Sequence, residues 1–114
     1  MDFWQRLDSL LATHQIVLDR PKGSRHPRYP EIVYPLDYGY LKDTSAGDGD
    51  GIDIWKGSLR GNHLVGVICT VDTLKKDAEI KLLIDCTSQE MDIINSFHNG
   101  DHSMSGLLVK RPSR

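Results

Sequence analysis

The sequence predicts a mainly β or α+β chain: a small, OB-like five-stranded β-barrel with one helix flanking it at each end. Three observations carry that expectation. Apolar residues fall at helical spacing twice, once near each end of the chain. Between these stretches lie short β-rich runs divided by turn residues. So few strands leave exposed sheet edges unless the sheet closes on itself, which favours a barrel.

The elements follow in order. Phe3, Trp4, Leu7, Leu10 and Leu11 put an amphipathic helix over 2–14. Gln15 to Asp19 is a short strand that Pro21 ends. Residues 20–30, with three prolines and a glycine, read as an irregular loop, and 31–34 as extended chain ahead of Pro35. Residues 43–51 are turn chemistry throughout, and the IDIW after them alternates like a strand. His63 to Val71 and Ile80 to Ile84 are β-rich. Thr87 or Ser88 caps a second helix, with Met91, Ile94 and Phe97 on its apolar side, and GLLVK at 106–110 is the last strand.

At 114 residues the expectation is one domain spanning 1–114. The composition, 39% hydrophobic and 26% charged, is that of a soluble globular protein. A net charge of −2 removes any general affinity for nucleic acid or an anionic membrane. Aromatics at 7% are too sparse for the stacking platforms of a single-strand binder. No apolar run reaches the roughly 20 residues that span a bilayer. Asp2, Arg6 and Asp8 interrupt the first apolar pattern, so it is no secretory signal, and a cytoplasmic location is expected. Cys69 and Cys86 each sit in apolar runs and read as reduced, buried thiols. The five histidines lack ligand spacing, and Lys75 and Lys76 read as solvated turn residues. The apolar load of Phe3, Trp4 and Leu7 on a terminal helix implies a homo-oligomer.

Charge is segregated along the chain. Arg20, Lys22, Arg25 and Arg28 form a basic stretch without an acid, and Asp43, Asp48, Asp50 and Asp53 an acidic stretch without a base. Carboxylates brought together by glycine turns suit hard cations such as Mg²⁺, Mn²⁺ and Ca²⁺. An EF-hand register fails, because Gly57 would stand where a bidentate glutamate is required. Guanidinium and ammonium groups suit phosphate oxygens. The two stretches together describe metal-assisted phosphoryl transfer to water.

Three blocks then carry a resemblance: L18-D19-R20-P21-K22-G23-S24-R25, Y34-P35-L36-D37-Y38-G39-Y40 and D48-G49-D50-G51-I52-D53-I54. In order and approximate spacing, from about residue 16 to residue 84, they resemble the soluble family I inorganic pyrophosphatases. The resemblance implies Mg²⁺-dependent hydrolysis of pyrophosphate, or of a related small phosphoanhydride, with several Mg²⁺ or Mn²⁺ ions bound. It implies that Asp48, Asp50, Asp53 and Asp72 hold metal, with Glu79 or Asp77 as a further ligand and Asp19 as an outer acid. Asp50 looks like the general base and Tyr38 like the tyrosine of the metal–water network. Lys22, Arg25, Arg28, Tyr34 and Lys81 look like substrate-binding residues.

The chain also departs from that family. A hairpin with a phosphate-binding arginine is missing between Arg28-Tyr29 and Tyr34-Pro35, Gly51 replaces a signature proline, and Thr73 stands where an acid can follow Asp72. After residue 90, His98-Asn99 is the nearest placement of a tyrosine–lysine pair. A shortened relative is expected. The alternative is a non-catalytic module that binds a phosphorylated metabolite or nucleotide on the same barrel.

Overall fold

The computed structural model describes residues 1–47, 49–100 and 103–113. Helix α1 covers Phe3–Thr13. Asp2 caps it: its carboxylate accepts from the Gln5 backbone N–H at 2.8 Å, and the Gln5 side chain accepts from the Asp2 backbone N–H at 3.0 Å. Two donors that a helix start leaves open are thereby satisfied. The second helix, α2, covers Ser88–His98, with Thr87 and Glu90 forming the same reciprocal cap. Glu90 also accepts from Ser58, which ties the helix start to the middle of the chain.

Among the described residues six strands form one sheet: β1 (Ile16–Arg20), β2 (Asp37–Leu41), β3 (Asp53–Lys56), β4 (Leu64–Asp72), β5 (Asp77–Ile84) and β6 (Met104–Lys110). Their spatial order is β1-β2-β3-β5-β4-β6. Neighbours are antiparallel except β3 and β5, which are parallel, with Trp55 opposite Leu83. The α+β class is borne out, and the barrel is corrected. The sheet is open, with six strands rather than five, and β1 and β6 are its outer edges. An open edge needs protection, and β6 receives it from the Asn99 side-chain amide, which accepts from the Gly106 N–H at 2.9 Å and donates to its carbonyl at 3.1 Å. The added strand is β2, whose Asp37-Tyr38-Gly39-Tyr40-Leu41 lacks apolar alternation. The stretch at 21–34 folds back on itself, with Gly23 and Ser24 paired to Tyr34 and His26 paired to Ile32.

Strand alternation sends side chains to two layers. Leu41, Ile54, Leu64, Val67, Leu82 and Ile84 face α1, where Trp4, Leu7, Leu10 and Leu11 cover them. On the other face Trp55, Ile68, Leu83, Met91 and Ile94 pack under α2 with the buried Tyr34 and Leu36. Of the three residues expected to load α1 with apolar surface, Trp4 and Leu7 pack on the core, and Phe3 stays 48% exposed. Burial pushes the Cys86 thiol up to about 12, with Glu90 and Asp85 adding to the shift, so it is an inert core group. No helix among the described residues is long and apolar enough to cross a membrane.

His98 closes the α2 layer. It is buried, and its Nε2 accepts from the Trp55 indole N–H at 3.0 Å, so its proton sits on Nδ1 facing the Met104 sulfur. Burial first, then the positive charge of Lys81, lower its pKa to about 3. Between that value and the ordinary 6.5 the unfolded chain binds a proton that the folded chain does not, so stability falls as pH falls through this window. We expect His98 to remove roughly 3 kcal/mol between pH 7 and pH 4.5. Urea unfolding at the two pH values should show a distinctly smaller difference for His98→Gln, which keeps an acceptor for Trp55 but does not titrate. Equal differences would refute the assignment.

Candidate active site

The face under α2 is apolar at one end and polar at the other. On β5, Asp77, Glu79 and Lys81 share a side with Leu83, and on β3 Asp53 shares a side with Trp55. Alternation therefore continues one face from core into charge. The polar end opens into a cleft lined by Asp19, Arg20, Tyr38, Asp50, Asp53, Thr70, Lys75, Asp77, Glu79, Lys81 and Met104 among others.

Lys81 lies at the bottom, 6% exposed. Its ammonium reaches Asp53 at 2.7 Å, Glu79 at 2.9 Å and the Tyr38 hydroxyl at 2.9 Å. An ammonium has three N–H bonds, and these contacts use all three. Lys81 therefore orients Asp53 and Glu79 and has no donor left for a substrate oxygen. Burial works to discharge it, but contact with Tyr38 and Asp53 more than reverses that and holds its pKa above the usual lysine range. Burial likewise raises Tyr38 above the usual tyrosine range, against the pull of Lys81, so its hydroxyl keeps its proton.

Two consecutive residues of β1, Asp19 and Arg20, both line the cleft. A regular strand would send them to opposite faces. Here the register with β2 slips, because Val17 faces Tyr40 while Arg20 faces Tyr38. That is a β-bulge, the device that re-aims side chains. Gly39 makes it possible: a Cβ there would lie 1.8 Å from the Val17 carbonyl oxygen. The guanidinium of Arg20 lies over the Tyr34 ring, 5.5 Å from its centroid, and donates to the Tyr34 hydroxyl.

Other expected residues stand elsewhere. Asp48 lies outside the described residues. Asp72 is buried at the end of β4, where its carboxylate accepts from the Leu74 and Lys75 backbone N–H groups and shapes the β4–β5 turn. Tyr34 is core. The Lys22 backbone N–H pairs with Asp37, Arg25 donates to the Pro30 carbonyl, and Arg28 lies over the Tyr29 ring, 6.0 Å from its centroid. None of Lys22, Arg25 and Arg28 lines the cleft. The cations that do, besides Lys81, are Arg20, which belongs to the basic stretch but was not among the expected substrate-binding residues, and Lys75, which was expected to be a solvated turn residue. Alternation hides Arg20, and a position in a charged turn hides Lys75.

Asp19, Asp50, Asp53, Asp77 and Glu79 form an oxygen-only donor set, the chemistry that fits a hard cation. Among the described residues no three His, Cys, Asp or Glu side chains converge on one metal position.

The arrangement is an α+β fold with a carboxylate-rich cleft at the polar end of one sheet face. In fold, and over one stretch of sequence, this chain is similar to inorganic pyrophosphatases. It is 33% identical over 60 residues to the inorganic pyrophosphatases of Geobacillus stearothermophilus and of Bacillus sp. (strain PS3). That match takes in 46% of this chain and only 36% of each relative's length. Among solved structures, an inorganic phosphatase from Anaplasma phagocytophilum superposes with a TM-score of 0.57 at 18% identity, over 83% of this chain and 81% of that one. The inorganic pyrophosphatase of Helicobacter pylori gives 0.54 at 17% identity, over 84% and 80% of the two chains. No protein-family model matches the chain.

Because the site depends on the bulge over Gly39, we expect Gly39→Ala to destabilise the fold by roughly 3 kcal/mol or more. Thermal melting checks this, and a variant as stable as wild type would mean that β1 does not cross Gly39 so closely.

Proposed function

We propose that this chain hydrolyses inorganic pyrophosphate, or a closely related small phosphoanhydride, with Mg²⁺ or Mn²⁺ bound among its carboxylates. The observation that carries the reading is the composition of the cleft: five carboxylates against Arg20, Lys75 and Lys81. Lys81 is saturated by Asp53, Glu79 and Tyr38. A polyanion such as pyrophosphate meets net repulsion there unless cations enter with it. Asp50, Asp53, Asp77, Glu79 and Asp19 are the residues that would hold those cations. When bound, a divalent ion neutralises phosphate charge and acidifies a water.

The protein supplies the rest. Lys81 and Tyr38 hold Asp53 and Glu79 in place before substrate arrives, so little reorganisation is needed on binding. Asp50, on the exposed loop ahead of β3, lines the same cleft and is the carboxylate we assign to take the proton from attacking water. The reduced, unpaired thiols Cys69 and Cys86 suit a cytoplasmic setting.

One observation favours a second reading, a module that binds a phosphorylated ligand without hydrolysing it. Two carboxylates of the set already pair with the single ammonium of Lys81. Turnover and binding separate the two readings. Phosphate release from pyrophosphate should require Mg²⁺ and vanish in excess EDTA. Asp50→Asn should lower the rate by roughly 10²–10⁴, while imidodiphosphate, a slowly hydrolysed analogue, still binds. Binding without turnover in the wild type would install the module reading.

We also propose self-association. Val71, Ile80, Leu107 and Val109 leave an apolar strip across β5, β4 and β6, with Ile80 and Leu107 both opposite Cys69. Sedimentation at micromolar concentration should give more than a monomer, and Leu107→Glu should shift the distribution toward one. A wild-type monomer would refute this.

A further inference from the structure

The cleft has a basic rim as well as an acidic floor. Arg20 is half-buried at one side, and its guanidinium has five N–H bonds, of which the Tyr34 hydroxyl takes one. Among the described residues no carboxylate lies within ion-pairing distance of it, although five carboxylates line the same cleft. Its posture is fixed from below. Tyr34 is buried, stacks on His26 with ring centroids 6.3 Å apart, and contacts Tyr38 at 5.3 Å. Among the described residues Arg20 is thus a positioned fork with donors to spare.

Lys75 completes the rim from the β4–β5 turn, where Asp72 holds its backbone N–H at 3.1 Å and its side chain reaches the cleft. His26 registers both cations: burial lowers its pKa, and then Arg20 and Lys75 lower it further. Its Nδ1 accepts from the Arg28 and Tyr29 backbone N–H groups, so the neutral ring sits among cations and does not compete for an anion.

We propose that Arg20 and Lys75 form an anion subsite that takes the phosphoryl group of a diphosphate lying away from the carboxylates, and so favours two linked phosphates over one. The identity of the ligand rests on the phosphoanhydride reading above, but the subsite itself rests on the placement of the two cations. The planar guanidinium matches two phosphoryl oxygens at once, which a lone ammonium cannot do.

Calorimetric titration of the full chain with imidodiphosphate and with inorganic phosphate, both in Mg²⁺, tests this. Arg20→Gln should weaken imidodiphosphate by about 10–100-fold while changing phosphate far less. Arg20→Lys should recover only part of the loss. Lys75→Gln, at an exposed turn where folding is not at stake, should weaken imidodiphosphate by about 3–10-fold. Melting curves show whether Arg20→Gln is folded. If both neutral variants bind imidodiphosphate as wild type does and pyrophosphate is still hydrolysed, the subsite is wrong and the enzyme reading stands. Equal losses for imidodiphosphate and phosphate would overturn the division between the two phosphoryl groups. If wild type hydrolyses nothing but loses imidodiphosphate on Arg20→Gln, the subsite stands and the enzyme reading falls. No binding by wild type of either probe overturns both.

Discussion

The site depends on one buried ammonium. Placing Lys81 under a sheet face removes it from water, a penalty of several kcal/mol unless its partners are well placed. Asp53, Glu79 and Tyr38 are so placed, from β3, β5 and β2 respectively. Three strands are thereby locked at the level where their shared face changes from apolar to polar. The lock is mutual, because Asp53 and Glu79 without Lys81 would face each other across a half-buried space as uncompensated like charges. Its field also extends into the core: the charge of Lys81 helps keep His98 neutral, and neutral His98 is what lets Trp55 pair its indole N–H.

How much of this could be read from the sequence varied with how local the cause was. Both helices were legible, because caps and apolar periodicity lie within a few residues of one another, as Asp2 with Gln5 and Thr87 with Glu90 show. The strands at 64–72 and 77–84 were legible from their β-branched runs, although β5 starts earlier than its apolar part. Its first half, Asp77-Ala78-Glu79-Ile80-Lys81, alternates charge with apolar residues, a strand signal in which the polar face is a site. Strand β2 was not legible from pattern, because Gly39 is chosen by the chain crossing above it and not by its own strand. The open sheet was not legible either. Closure depends on whether two distant edges meet, and here Asn99 occupies part of one edge with a side-chain amide.

The acidic half of the site followed from sequence better than the basic half, and for a physical reason. Asp50 and Asp53 lie on a loop and the strand it leads into, and both reach the cleft. The resemblance also placed Asp19 and Glu79 there. The basic stretch at 20–28 instead folds back on itself. The Gly23 N–H pairs with the Tyr34 carbonyl, the His26 N–H with that of Ile32, and Arg25 donates to the Pro30 carbonyl. Its cations are used to stabilise the fold-back or face solvent. Spacing along a chain cannot distinguish a loop that reaches over a site from one that closes on its own backbone.

Only the root of that basic stretch escapes the fold-back, and it does so because of the sheet. Arg20 still belongs to β1, so its direction is set by the register with β2 and not by the loop. Had β1 stayed regular, Asp19 and Arg20 would point to opposite faces, and one of the two would be lost to the site. The bulge keeps both, so an acid and a base enter the same cleft from neighbouring residues. Arg20 then rests on Tyr34, Tyr34 on Tyr38, and Tyr38 on Lys81, through ring contacts of 5.3 to 5.5 Å. The guanidinium at the rim and the saturated ammonium at the floor are thus joined through two tyrosine rings in contact. A change that shifts Tyr38 must move the floor and the rim together, which couples the geometry of the carboxylates to that of the cation facing them.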